Sequence, residues 1–537
     1  MSSEYLWWQE GVVYQIYPRS FQDSNGDGVG DLNGIRQRLD YLQGLGVDAL
    51  WLSPIYPSPM YDFGYDVSDY CDIDPVFGTL ADFDQLVAEA HARGIRVVLD
   101  MVFNHSSHLH PWFLESRSGR DNPKRDWYLW RDPGPDGGPP NNWESTFGGK
   151  GWEYDPPTGQ YYYHQFLKEQ PDLNWRNPEV RSALMDVLRF WLARGVDGFR
   201  FDVIMSFFKD DLFRDNPTSL TNPVGLIRAF DRQQHLYDRD RPEMDGVLAE
   251  IRTLLDEAPG RMAVGEVDDL AMSVRYAGAG KLHLAFNFDF LKTRWLPRLF
   301  MESVNAYAEN LPADAWPSVV LGNHDNDRLA SRFGAGPFSD ARAKVAAALL
   351  LTQRGTPFLY YGDELGMLNT PLSRDEIQDP PGKLYWPLYQ GRDPARTPMQ
   401  WSAEPHAGFS DNAPWLRIHS DHTQRNVAAQ DADPGSVLNV YRALLKLRRS
   451  SPALRRGTTR FLVKRPVEGL AYLREAPEQN LLVALNFFGW SIDLRLEGPL
   501  PSARWKVRYS TSGVDVPRIM GNRMRLQPFE AVILEAA

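Results

Sequence analysis

One arrangement recurs along the chain. An amphipathic helix closes on glycine, a short apolar run follows, and the run ends in polar residues. Gly46 precedes "VDALWLSP", Gly94 precedes "IRVVLDMVFNH", Gly195 precedes "VDGFRFD", Gly260 precedes "RMAVGE" and Gly355 precedes "TPFLYYGDE". Glycine suits the left-handed residue just past a helix C-terminus. The helical period is visible upstream: Ile35, Leu39 and Leu42 form one apolar stripe, and Leu80, Phe83, Val87 and Ala90 another. Asn177-Pro178 supplies an N-cap and a first-turn proline for a helix running through Trp191.

Apolar strands that alternate with helices are buried on both faces, which is the condition of a parallel sheet. Further strands are predicted at Val12–Tyr17, His283–Phe286 and Ser318–Leu321, which makes eight. Eight such units predict an α/β fold, a (β/α)8 TIM barrel, with an open doubly wound sheet as the competing arrangement. The spacing has one anomaly: Gly46 and Gly94 are 48 residues apart, Gly94 and Gly195 are 101 apart. The excess, rich in Trp, Tyr, Pro and Gly, reads as a small inserted domain over the barrel mouth after strand 3, residues 105–174. The barrel takes 1–104 and 175–456. From about residue 457 the pattern alternates with period two, as in "LAYLREAPEQNLLVALNFFGWSIDLRLEG", and predicts a C-terminal antiparallel β-sandwich over 457–537.

Composition narrows the function classes. With 537 residues and 43% hydrophobic content, the chain has ample core for a barrel and appendages. A net charge of −12 argues against nucleic acid or an anionic membrane as partner. The single Cys71 rules out an internal disulfide and a cysteine metal cage, and reads as a passive residue. The start "MSSEYLWWQEGVVYQ" lacks the layout of a signal peptide, and no apolar run reaches about 18 residues. A cytoplasmic, monomeric protein is expected.

Functional residues of such barrels occupy the C-terminal strand ends. These ends carry Asn104 and His105, Arg200 and Asp202, Glu266, and His324 and Asp325. In "GFRFD" the side chains alternate, so Phe199 and Phe201 face the helices while Arg200 and Asp202 point inward. A guanidinium beside Asp202 favours its ionised form, which suits a nucleophile. Glu266, near a second carboxylate and partly desolvated, is expected to keep its proton, which suits a general acid. One charged and one protonated carboxyl is the arrangement that cleaves glycosidic bonds.

The motifs "GVVYQIYPRSF", "DSNGDGVGDLNGI", "DFGYDVSDY", "DMVFNHSS", "QPDLNW", "GFRFDV", "GE", "NHDNDR" and "RTPMQW" give the chain, from about Trp7 to Arg449, a close resemblance to the α-amylase superfamily of glycoside hydrolases. The likeness is to its exo-acting α-glucosidase and oligo-1,6-glucosidase branch. The resemblance implies Asp202 as nucleophile, Glu266 as acid and base, and Asp325 as stabiliser of the charged transition state. It implies sugar contacts from Tyr65, His105, Phe166, Arg200 and His324. It also implies that Asp62 and Arg396 pair to grip the terminal glucose and close the pocket, which makes cleavage exo. Val203, after the nucleophile, leans towards α-1,6 over α-1,4 linkages. The segment after strand 5, "GEVDDLAM", departs from the family's usual pattern, which affects the acceptor side.

"DSNGDGVGD" opens like a calcium loop. An EF-hand needs a bidentate Glu at position twelve and flanking helices. Position twelve is Gly34, and "VVYQIYP" upstream is a strand. The loop therefore reads as a structural clamp for Ca²⁺ or Mg²⁺, with Asp23, Asn25, Asp27, the Val29 carbonyl and Asp31 as ligands; the resemblance implies the same set. A metal-free Asp/Gly turn is the plainer alternative. No organic cofactor is expected, nor a catalytic zinc, because the chain holds no HExxH. "FGGKGW" reads as a loop of the insert, and "KDDLFRDNP" (209–217) as a solvated segment. The rivals to a glucosidase are a sucrose- or trehalose-acting glucosyltransferase or isomerase on the same scaffold, and a non-catalytic sugar-binding or transporter-associated subunit.

Overall fold

The structure, a computed structural model, describes residues 5–219, 228–515 and 519–537. Eight parallel strands form the central sheet: β1 (Val13–Ile16), β2 (Ala49–Leu52), β3 (Arg96–Met101), β4 (Gly198–Phe201), β5 (Met262–Gly265), β6 (Leu284–Ala285), β7 (Ser318–Val320) and β8 (Thr356–Tyr360). Ladders run in the order β7-β8-β1-β2-β3-β4-β5-β6. At the remaining seam, Ser318 Oγ donates to the Ala285 carbonyl at 2.6 Å. Each strand predicted from the sequence is present, and the sheet curls into a TIM barrel rather than an open doubly wound sheet.

The barrel obeys the period-two rule. Val13, Ala49, Trp51, Val98, Met262, Val264, Leu284, Val320 and Phe358 fill its interior as one cluster. Tyr14, Leu50, Leu52, Val97, Leu99, Phe199 and Phe201 belong to the larger cluster between strands and helices. One level up, the inward positions turn polar: Gln15, Asp100 and Arg200 are buried there. That change of layer makes the top of the core the base of a site.

The helix-end glycines behave as predicted, with φ of 97° at Gly46, 74° at Gly94, 91° at Gly195, 84° at Gly260 and 117° at Gly355. Gly260 and Gly355 stand a few residues beyond their helices, Met244–Asp256 and Ser339–Thr352, inside the turn to the next strand. At Gly355 a Cβ would meet the Pro317 carbonyl oxygen at 2.4 Å, so the β7–β8 approach itself demands glycine. Asn177 caps the helix Pro178–Ala193 through the Glu179 amide. The stripe of Ile35, Leu39 and Leu42 is fully buried but spans two short helices, Leu32–Gln37 and Leu39–Leu45, rather than one.

After β3 the chain leaves the barrel for the insert. Its strands Trp130–Arg131, Trp152–Asp155 and Gln160–Tyr163 form an antiparallel sheet backed by Leu129, Trp143, Trp152 and Tyr163. Bridges His105–Asp172 and Tyr128–Leu173 tie its two ends together over the barrel. At the C-terminus a five-stranded sheet (Thr458–Phe461, Gly469–Ala476, Gln479–Asn486, Ala531–Ala536, Trp505–Ser510) pairs with a three-stranded one (Ile492–Arg495, Arg523–Leu526, Ile519–Met520). Leu473, Leu482, Leu494, Leu526 and Leu534 lie in the core between the sheets, whereas Tyr472, Leu481, Val483 and Ile533 join the barrel's cluster. The sandwich therefore buries one face of its larger sheet on the barrel, by strand alternation alone. Among the described residues, no helix is long and apolar enough to cross a membrane.

Candidate active site

Arg200 organises the centre of the barrel mouth. Its side chain is wholly buried, and Nη1 donates to Asp100 Oδ1 at 2.6 Å and to Asp202 Oδ1 at 2.8 Å. Its other terminal nitrogen, Nη2, donates to Glu266 Oε2. The fork thus holds carboxylates from the ends of β3, β4 and β5 on two adjacent nitrogens. Asp202 and Glu266 both line one pocket of roughly 200 Å³, together with Asp62, Tyr65, His105, Phe166, Val203, His324 and Asp325. The same pocket contains all three predicted catalytic carboxylates and six of the predicted sugar-binding residues.

The electrostatics differ from the sequence-based expectation. Burial pushes the Asp202 carboxyl well above the usual carboxylate range. Arg200 opposes this, while Glu266, Asp100 and Asp325 reinforce it. Asp100, also raised chiefly by burial, moves to about 6. Arg200 therefore does not offset burial at Asp202, because three carboxylates share its one positive charge. Asp325 goes the other way. Burial disfavours its charge, but Arg392 and Arg396 overcome the penalty and hold it well below the usual range. His324 also contacts Asp325 Oδ2, at 3.2 Å, yet burial keeps this imidazole neutral, so the two arginines supply the charge.

The two histidines act as neutral hydrogen-bonding groups. Gln15 Nε2 donates to His324 Nδ1 at 2.7 Å, which leaves the proton on Nε2, 2.6 Å from the Tyr65 hydroxyl. Tyr65 in turn donates to Asp100 Oδ2 at 3.1 Å, and its ring lies stacked on His324 with centroids 5.3 Å apart. Burial lowers His105 to about 4; its Nε2 donates to the Tyr65 carbonyl at 3.0 Å, and Asn104 donates to its Nδ1 at 3.2 Å. Phe166 reaches His105 from the insert, with ring centroids 5.2 Å apart.

The far wall corrects one predicted pair. Asp62 Oδ1 is bonded by Arg392 Nη2 at 2.6 Å, not by Arg396. Arg396 is fully buried behind the wall, donating to the His324 carbonyl at 2.9 Å and to Asp325 Oδ1 at 2.8 Å. Arg392 also contacts Asp325 at 3.3 Å, and Asp379 holds it through Nε at 2.9 Å and Nη2 at 2.6 Å. A single 3₁₀ turn, Asp393–Ala395, separates the two arginines and decides which one reaches the pocket. Neither Arg200 nor Arg396 lines the pocket; both hold carboxylates from behind. Besides Arg392, sequence reasoning missed Phe147, Arg228, Pro381 and Tyr389 in the lining. Phe147 sits in "FGGKGW", and its aromatic ring amid glycines was the available signal. The segment 209–217 is also not simply solvated: Lys209, Asp210 and Asn216 are buried.

The acidic loop folds as successive side-chain turns. Asp23 Oδ1 accepts from the Asn25 and Gly26 amides, Asn25 Oδ1 from Asp27, and Asp27 Oδ1 from Val29. Asp31 faces inward, capping the helix Leu32–Gln37 through the Gly34 amide and accepting from Ser24. The donors are all oxygen, as a hard cation requires. Among the described residues, however, no three His, Cys, Asp or Glu side chains form a group placed to hold a metal. A cation here would therefore lean on Asn25 and the Val29 carbonyl as well as on carboxylates.

Comparison with known proteins agrees with this fold. The family model for the α-amylase catalytic domain matches residues 15–457. A probable α-glucosidase of Rhizobium meliloti (strain 1021) is 47% identical over 89% of both chains. An oligo-1,6-glucosidase of Heyndrickxia coagulans is 38% identical over 98% of this chain and 99% of its own. Among solved structures, the α-glucosyl transfer enzyme XgtA superposes with a TM-score of 0.93 at 42% identity, over 99% of this chain and 100% of that one. The trehalulose synthase MutB from Pseudomonas mesoacidophila MX-45 gives 0.89 at 36% identity, with the same coverage, and one MutB structure holds sucrose, described as its substrate.

Proposed function

The chain belongs to the α-amylase family and is a glycoside hydrolase of the glucosidase kind, and from that premise we propose that it is a retaining exo-α-glucosidase. The observation that carries the reading is the Arg200 fork, which fixes Asp202 and Glu266 on adjacent nitrogens at the edge of one pocket. In the productive state Asp202 is ionised and Glu266 carries the proton. Asp202 attacks the anomeric carbon, the glycosidic C–O bond breaks, and the Glu266 proton passes to the leaving oxygen. The resulting β-glucosyl ester is then attacked by water, whose proton returns to Glu266 as Asp202 leaves. Two inversions give net retention. Asp325, kept charged by Arg392 and Arg396, stabilises the oxocarbenium-like transition state.

Asp62 and Arg392 meet across the far end of the pocket, which supports a closed floor and release of single glucose units from the non-reducing end. His105 and His324, being neutral and held by their protein partners, line the pocket beside that glucose without adding charge. Since the ester can be intercepted by any hydroxyl, transglucosylation accompanies hydrolysis. Val203, which lines the pocket beside the nucleophile, supports a lean to α-1,6 over α-1,4 linkages. A hard cation in the loop Asp23–Asp31, Ca²⁺ or Mg²⁺, would pin the connection after β1 and take no part in the chemistry. The second reading, a sucrose-acting glucosyltransferase or isomerase, is favoured by the likeness to MutB.

Initial rates on maltose, isomaltose, sucrose and trehalose, with the first-formed anomer followed by NMR, test the proposal. Release of α-glucose from maltose or isomaltose is expected. Release of β-glucose would remove the covalent ester, and conversion of sucrose to an isomer without net hydrolysis would favour the second reading.

A further inference from the structure

Val203 is held in the left-handed region, at φ 35° and ψ 44°. For a β-branched residue this is a strained conformation, and strain of this kind persists only where the surroundings over-determine it. The conformation has a visible consequence: the Val203 amide donates to Glu266 Oε2 at 3.2 Å, the same oxygen that Arg200 holds. With two donors on Oε2, Oε1 is the carboxyl oxygen left free to bear a proton.

The turn that imposes this conformation is pinned by a buried lysine. Lys209 Nζ donates to the Ser206 carbonyl and, at 2.8 Å, to Asn104 Oδ1, and it lies 2.5 Å from Asp172 Oδ2. Its three protons are thereby accounted for, and the side chains of both Lys209 and Asp172 are fully buried. Asp172 belongs to the insert, where it also accepts from the Gln165 amide at 2.8 Å. Gln165 Nε2 reaches Ser206 Oγ at 3.0 Å, and Phe207 stacks on Trp175 with centroids 4.3 Å apart. The side-chain anchors of Ser206 and Lys209 thus run to the insert and to the segment after β3, while Phe207 packs on Trp175 where the chain re-enters the barrel and the Met205 carbonyl accepts from the Asp240 amide at 2.7 Å.

We propose that Lys209 is a positioning residue for the acid–base step: by tying Ser206 to Asn104 and to Asp172 of the insert, it locks the 203–209 turn so that the Val203 amide fixes the Glu266 carboxyl. This rests on the reading of Glu266 as the proton donor. The insert then does more than cover the pocket; through one ion pair it sets the geometry of the acid.

The test separates positioning from folding by leaving-group dependence. Removing Lys209 alone strands the Asp172 charge in the core, so the double variant K209M/D172N, which is neutral at both positions, accompanies Lys209→Met. Each is assayed on maltose, isomaltose and α-glucosyl fluoride, whose leaving group needs no proton, with Glu266→Gln as reference. The double variant is expected to lose about 10- to 100-fold in kcat/KM on the disaccharides and less than about 3-fold on the fluoride. A reduced folded fraction lowers all rates alike and cancels in the ratio. If Glu266→Gln separates the substrates but the double variant does not, Lys209 has no positioning role. If Glu266→Gln itself affects all substrates equally, the acid assignment falls and takes this proposal with it.

Discussion

Arg392 Nη2 lies 2.6 Å from Asp62 Oδ1, so two segments 330 residues apart close the far wall of the pocket with a single ion pair. The same guanidinium is shared with Asp379 and Asp325. Substituting Arg392→Ala leaves three carboxylates facing one another without their common cation. The expected result is a loss of at least about 100-fold in kcat/KM on disaccharides and a melting temperature lowered by the equivalent of about 3 kcal/mol. Steady-state kinetics and calorimetry check both. A variant with near-native kcat/KM would disconnect this pair from substrate binding.

Asp202→Asn removes the nucleophile while keeping its shape. Turnover should drop to background. Because burial and neighbouring carboxylates already disfavour the Asp202 charge, the melting temperature at pH 7 should hold or rise. Thermal unfolding of the variant, with deamidation excluded by mass spectrometry, decides this. A clear loss of stability would mean that Arg200 depends on the Asp202 charge more than the carboxylate cluster resists it.

Asp363, fully buried at the end of β8, is pushed up to about 7, chiefly by burial and against Arg328. The sign follows from linkage. A carboxyl raised in the folded state contributes fully below its unfolded value of about 4, and the contribution is lost as pH rises to about 7. Melting temperature should therefore decline across that window, and Asp363→Asn should flatten the decline. An unchanged slope in the variant would assign the pH dependence to other groups.

Val203→Thr keeps the β-branch and adds a hydroxyl beside the nucleophile. The isomaltose-to-maltose ratio of kcat/KM should move towards maltose. If the ratio stays where it was, residue 203 does not select linkage.

Chelation with EDTA probes the Asp23–Asp31 loop. Loss of a bound cation should lower the melting temperature by a few degrees and slow turnover only secondarily, with recovery on adding Ca²⁺ or Mg²⁺. If melting temperature and activity are both indifferent to chelator, the side-chain turns of Asp23, Asn25 and Asp27 suffice without metal.

The sequence by itself determined the eight strands, the glycine turns before them and the identity of the strand-end carboxylates. These follow from short-range rules: a period of two or 3.6, a cap residue, a left-handed glycine, each confined to a few neighbouring positions. What needed the tertiary structure is of another kind. Arg396 opens the "RTPMQW" motif and Arg392 stands one 3₁₀ turn before it, and only packing decides which meets Asp62. Lys209 heads a charged stretch that reads as solvated, yet it is buried because the insert folds back and delivers Asp172 to it. The charge of Asp202 depends on how many carboxylates converge on Arg200 and how little water remains, and both are sums over residues far apart in the chain. Local periodicity therefore wrote the scaffold, while desolvation and long-range charge pairing, which only the closed barrel creates, settled the partners in its pocket.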